Sequence, residues 1–145
     1  MRYLLSAVLL AAVSATASAD CGSIRNTSLM VYCYAISGRG NCNHIPDTNM
    51  RARCHAEVGT GSCDAIKDSD GRLYCYAVTK NASCNKIRNG DLRNRCHAET
   101  AEIPCEKVRD NDQRAYCYAI NYAASCDGIR HDDLRHFCEG KKRQK

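Results

Sequence analysis

Residues 63–77 read Cys63-Asp64-Ala65-Ile66-Lys67-Asp68-Ser69-Asp70-Gly71-Arg72-Leu73-Tyr74-Cys75-Tyr76-Ala77, and the chain repeats this plan six times. Its twelve cysteines are Cys21, Cys33, Cys42, Cys54, Cys63, Cys75, Cys84, Cys96, Cys105, Cys117, Cys126 and Cys138, spaced alternately 12 and 9 apart. A period of 21 residues without exception means six copies of one small unit, each carrying two thiols in the same two places.

Stacking the units predicts what each one builds. The first cysteine follows Asp20, Asn41, Ser62, Ser83, Pro104 or Ser125. Five of these are good helix N-caps and the sixth is a proline suited to a helix start. Ile24, Ile45, Ile66, Ile87, Val108 or Ile129 comes three residues later, then a basic residue or Pro46, which limits this first helix to little more than one turn. A longer second helix follows. Asp47, Asp68 and Asp110 precede Arg51, Arg72 and Arg114 by four residues, a spacing that supports an exposed helix face, and Asp70, Asp91, Asp112 and Asp133 suit the positive first turn. Leu29, Met50, Leu92 and Leu134 share the helical face of the second cysteine, with Gly71 and Gln113 breaking that pattern. Two residues past that cysteine stands Ala35, Ala56, Ala77, Ala98, Ala119 or Gly140, small enough for neighbouring helices to approach closely.

The expected fold is therefore all-α, a disulfide-stapled solenoid of six 21-residue helical hairpins. One long coiled coil is rejected, because cysteine steps of 12 and 9 advance about 120° and 180° around an ideal helix and form no seam. Units this short bury little apolar area, so crosslinks must substitute for core. Two local pairings exist, within a unit across 12 residues or between units across 9. Pairing within units uses every cysteine, whereas pairing between units strands Cys21 and Cys138; the within-unit set is favoured.

The N-terminus predicts the compartment. Arg2, the apolar run from Leu4 to Val13 and the small residues Ala17, Ser18 and Ala19 have the form of a secretory signal peptide over residues 1–19. Its apolar run is too short to span a bilayer. The repeat domain is expected over residues 20–140, with a frayed basic tail over 141–145. A secreted chain with twelve thiols belongs in an oxidising compartment, the periplasm or the exterior. The formal charge of +5 resides in Arg2 and the tail; residues 20–140 balance 16 basic against 16 acidic groups. That neutrality argues against nucleic acid as a partner, since a binder carries a basic stripe on its folded face.

Chemistry is sparse. No two cysteines are closer than nine residues, so zinc spacing and C-x-x-C redox spacing are both missing. No catalytic, cofactor-binding or metal residue is assigned; His55, Glu57, His97 and Glu99 recur at matching positions, but beside Arg53 and Arg95 they read as a polar face. A finer period of 42 residues separates odd from even units. Odd units carry Tyr32, Tyr34, Tyr74, Tyr76, Tyr116 and Tyr118 around the second cysteine, and even units carry Arg53, His55, Arg95 and His97 there. If successive units alternate sides, the tyrosines line one flank and the polar set the other, with the middle units favoured for contact because terminal repeats act as caps. Tyrosine suits interfaces. The competing expectation is that these rings shield disulfides and fill gaps.

The pattern C-x2-I-x5-R-x2-C-x-A, seen as Cys63, Ile66, Arg72, Cys75 and Ala77, resembles the cysteine-paired short-helix repeats of assorted secreted bacterial proteins. Unit one departs from it at Met30 and unit six at Gly140. Among small periplasmic proteins without catalytic groups, the resemblance extends by analogy to immunity proteins that block a toxin enzyme. It implies a non-enzymatic protein-binding module whose partner is a protein. The alternatives are a structural or envelope-associated repeat protein and a secreted effector on a disulfide scaffold.

Overall fold

The computed structural model describes residues 20–142; the expected signal peptide and the last three residues lie outside the described residues. Each unit is a 3-10 turn followed by an α-helix. The 3-10 segments are Asp20–Ser23, Cys42–His44, Cys63–Ala65, Cys84–Lys86, Cys105–Lys107 and Cys126–Gly128. The helices are α1 (Thr27–Ile36), α2 (Thr48–Glu57), α3 (Ser69–Lys80), α4 (Gly90–Thr100), α5 (Asn111–Tyr122) and α6 (Asp132–Lys142). Asn41, Ser62, Ser83 and Ser125 accept a main-chain N–H at the start of their 3-10 turns, while Pro104 offers no side-chain cap.

The residue that ends each 3-10 turn, from Ile24 through Val108 to Ile129, is at most 2% exposed, so the turn is anchored by one apolar side chain and one cysteine. The six disulfides join the two cysteines of each unit, with Cα–Cα separations of 5.6–6.0 Å, inside the range an unstrained bridge needs. The pairing is the within-unit one. Oxidised cysteines throughout the described residues place the folded chain in an oxidising compartment.

The i,i+4 acid and base residues serve differently from the expectation. Asp47, Asp68 and Asp110 are the N-caps of α2, α3 and α5, each accepting from the main-chain N–H three residues on. Arg51, Arg72, Arg93, Arg114 and Arg135 reach back instead, donating to the carbonyl of their own unit's Ile45, Ile66, Ile87, Val108 or Ile129 at 2.8–3.3 Å. That carbonyl ends the 3-10 turn, so the arginine ties turn to helix within a unit.

Neighbouring units are joined by a polar staple in the first turn of each helix. Ser28 accepts from Asp47 N, Asn49 from Lys67 N, Asp70 from Arg88 N and Asn89 N, and Asp112 from Arg130 N and His131 N. Because one helix's first turn bonds to the residues just before the next helix, adjacent helices run parallel. The same staple then closes the array: Asp133 in unit six accepts from Arg25 N at 2.8 Å and Asn26 N at 3.2 Å in unit one. Helix α6 packs on α1 and on Asp20–Ser23, as each inner helix packs on its successor. The solenoid is a closed ring of six parallel helices, with the 3-10 turns around the outside.

Closure explains the glycine of unit six. A Cβ at Gly140 would lie 2.6 Å from Cys33 Sγ and 3.2 Å from Cys21 Sγ, so the ring shuts only because α6 carries no side chain against the first disulfide. Gly140→Ala is expected to lower stability by about 1–2 kcal/mol, overpacking outweighing the gain in helix propensity. A chemical denaturation midpoint equal to or above that of the parent chain would contradict this. Lys141 and Lys142, expected in a frayed tail, belong to α6: Lys142 Nζ donates to the carbonyls of Ala123 and Ala124, and Lys141 reaches the ring interior.

Candidate functional site

Position by position, the candidate residues separate into an inner and an outer set. The residue before each second cysteine points to the ring axis, in the order Tyr32, Arg53, Tyr74, Arg95, Tyr116 and Phe137. Tyr32, Tyr74 and Tyr116 are at most 1% exposed, and Phe137 is fully buried. Phe137 stacks between Tyr32 and Tyr116, with ring centroids 5.7 and 6.3 Å away. The Arg53 guanidinium lies over the rings of Tyr32 and Tyr74 at 5.0 and 4.2 Å, and that of Arg95 over Phe137 at 5.5 Å. Tyrosines and arginines that were expected on opposite flanks therefore alternate around one axis. Successive units rotate about that axis rather than swapping sides.

One helical turn further on, Glu57, Glu99 and Lys141 complete a buried charge cluster. Arg53 Nε donates to Glu57 Oε1 at 2.7 Å, and the Tyr32 hydroxyl donates to Glu57 Oε2 at 2.5 Å. Glu99, whose side chain is 1% exposed, meets Arg53 at 3.4 Å, Lys141 at 3.5 Å and Arg95 at 3.6 Å, and accepts from the Tyr116 hydroxyl at 3.0 Å. Burial pushes its carboxyl up, but Lys141, Arg53 and Arg95 together outweigh that and hold it well below the usual carboxylate range. Burial first, and the Glu99 carboxylate second, raise the Tyr116 hydroxyl far above its ordinary value. The rings of Tyr32, Tyr74, Tyr116 and Phe137 are shut inside, while Arg95 and Lys141 keep 23% and 20% of their side chains exposed.

Among the residues that follow the second cysteines, His55 and Tyr76 lean on their own 3-10 turns. The Tyr76 hydroxyl donates to the Asp64 carboxylate, holding it below its ordinary pKa. His55 Nε2 pairs with Asn43 Oδ1 at 3.0 Å and its Nδ1 with Thr60 Oγ1 at 2.8 Å. Tyr34 and Tyr76 are half-buried. His97 is the most buried of this outer set; its Nδ1 lies 3.5 Å from Glu102 Oε2. Burial lowers the His97 pKa, with Glu102 acting against it. Cys84 Sγ comes close to both, yet it is bridged to Cys96 and offers no thiolate, so the trio lacks the third ligand a metal would need.

Tyr118 stands apart. It is 38% exposed and packs at 5.9 Å against Tyr122, which is 63% exposed. Tyr122 lies outside the repeat pattern. It becomes helical because unit five has Asn121-Tyr122-Ala123 where units one and two have a glycine of positive φ, so α5 runs on to a left-handed Ala123. The missing glycine was the signal for it. Asn121 locks the extension, donating to Ala98 O at 2.8 Å and Cys117 O at 3.0 Å.

No helix among the described residues is long and apolar enough to cross a membrane. Against known protein families, curated proteins and solved structures, the chain finds no match.

Proposed function

We propose that this protein is a rigid protein-binding module of the periplasm, exported by its signal peptide, and acts as an immunity protein or inhibitor that covers a toxin enzyme. The observation that carries the proposal is the Tyr118–Tyr122 pair, two large rings left exposed, whereas Tyr34 and Tyr76 are half-buried and Tyr32, Tyr74, Tyr116 and Phe137 are shut inside the ring. Such rings combine contact area with a polar tip and dominate the centres of interfaces. A body stapled in every unit loses little freedom on association, so more of the contact energy appears as affinity. The resemblance of the repeat to those of secreted bacterial proteins is consistent with that setting. On this reading the protein acts by occlusion: His55 is held between Asn43 and Thr60, and His97 faces Glu102.

The test is capture of a partner from an oxidised envelope extract, followed by affinity measurement with variants. Tyr118→Ala combined with Tyr122→Ala is expected to weaken binding by at least about thirtyfold, the scale of a central hot spot, with unchanged helix content and disulfides. Unchanged affinity would move the surface elsewhere. Failure of the oxidised chain to retain any protein would overturn the binding role in favour of a structural repeat protein.

A further inference from the structure

Five of the six junctions in the ring are stapled and one is not. Asp91 of unit four holds the position that Asp70, Asp112 and Asp133 use to grip the next unit, yet it makes no hydrogen bond or ion pair among the described residues. Helix α4 packs tightly on α5 but keeps at most a marginal contact with Cys105–Lys107, whereas every other helix packs on the 3-10 turn of the following unit. That turn also lacks a side-chain cap, because Pro104 begins it.

The unstapled junction leaves a cavity of about 290 Å³ between units four and five, lined by Arg93, Asn94 and His97 from α4 and by Lys107 and Arg109 from unit five. Lys107 and Arg109 are exposed and make no ion pair among the described residues. Arg93 is oriented by the bond from one terminal nitrogen to Ile87 O, at 2.8 Å, which leaves the rest of its guanidinium fork unspent. The His97 side chain, 7% exposed, contributes to the wall, and its Nδ1 is buried without a hydrogen-bond partner. Against these cations Asp91 is the one carboxylate lining the cavity. Three cations convergent on a small cleft, two of them unpaired, form a receptor for a compact oxyanion, which a guanidinium fork grips in two places.

We propose that the junction between units four and five is an anion-binding pocket for a small, multiply charged phosphate- or carboxylate-bearing molecule, held by Arg93, Lys107 and Arg109. The site stands on its own residues and does not depend on the partner-binding proposal. Lys86 and Arg88 occupy the same repeat positions as Lys107 and Arg109, but at the stapled junction between units three and four, where Asp70 takes the main-chain N–H of Arg88. They supply a matched control.

The oxidised chain is titrated with pyrophosphate and, separately, with citrate, in a low-salt buffer free of other polyanions, and followed by amide chemical shifts. Saturable shifts confined to residues 90–97 and 103–109 are expected with at least one of the two, and the stronger probe identifies phosphate or carboxylate as the preferred group. Lys107→Gln with Arg109→Gln is expected to weaken that binding by about tenfold or more, the loss of two charge-assisted contacts. Lys86→Gln with Arg88→Gln is expected to leave it within about twofold, since rim charges away from a site act weakly. No saturable shift with either probe, or equal weakening by the two double variants, would overturn the proposal.

Discussion

Full reduction of the six disulfides at neutral pH is expected to abolish most helical circular dichroism and to leave no cooperative thermal transition. The helices are 10–12 residues long, below the length at which an isolated helix is stable in water. Each 3-10 turn of three or four residues is held by one apolar anchor and its cysteine. The cysteines themselves make up a large share of the buried apolar residues, so the crosslinks are also much of the core. By chain-entropy reasoning each loop contributes about 3 kcal/mol, less than additively over six, against the 5–15 kcal/mol of a typical domain. Retention of helix and a cooperative melt after complete thiol alkylation would show that the ring interior alone sustains the fold.

The next largest effect is expected at Glu99. Its carboxylate faces Arg53, Arg95 and Lys141 inside the ring, so Glu99→Ala leaves Arg53 with Glu57 and leaves Arg95 and Lys141 with no carboxylate among the described residues. Breaking a buried pair by removing one partner costs about 3–5 kcal/mol, because the charge left behind has been taken out of water. Loss of less than about 1 kcal/mol in urea denaturation, the scale of an exposed pair, would mean that the axis is wet. The pH dependence has a definite sign. A carboxyl depressed in the folded state stabilises above its unfolded pKa, about 4.3 for glutamate, and loses that contribution as pH falls toward the folded value. The difference in stability between the parent chain and Glu99→Gln should therefore be constant from pH 7 to about 5 and shrink below it.

The cysteine beat made the unit, its two segments and its crosslink legible, because all three depend on contacts within 21 residues. Closure was not legible from that beat. The rotation between units is set by the staple residues Ser28, Asn49, Asp70, Asp112 and Asp133, whose polar character in a first turn reads equally well as ordinary helix-start composition. The clues were departures of unit six: Phe137 for an arginine and Gly140 for an alanine fit the junction with unit one, and Lys141 for a glutamate pairs with Glu99 of unit four. The tyrosines illustrate a missed geometric step. Tyr32 and Tyr34 are two residues apart, about 200° around a helix, so a pair flanking one cysteine could not face one side; the first went to the axis and the second to its own turn. The candidate surface narrowed accordingly to Tyr118, joined by Tyr122, which no repeat position would have flagged.

An open array of repeats grows or shrinks by whole copies with modest consequence, since each copy answers only to its neighbours. A circle has no such freedom. Asp133 can hold Arg25 and Asn26 only if the accumulated turn over all units comes back to its starting point, and Gly140 can meet the Cys21–Cys33 bridge only in that same count. Duplicating or deleting one unit would leave the crosslinks of all the other units intact and yet expose the axis with its arginines, tyrosines and glutamates, so copy number in this architecture is fixed by arithmetic rather than by the strength of any single contact.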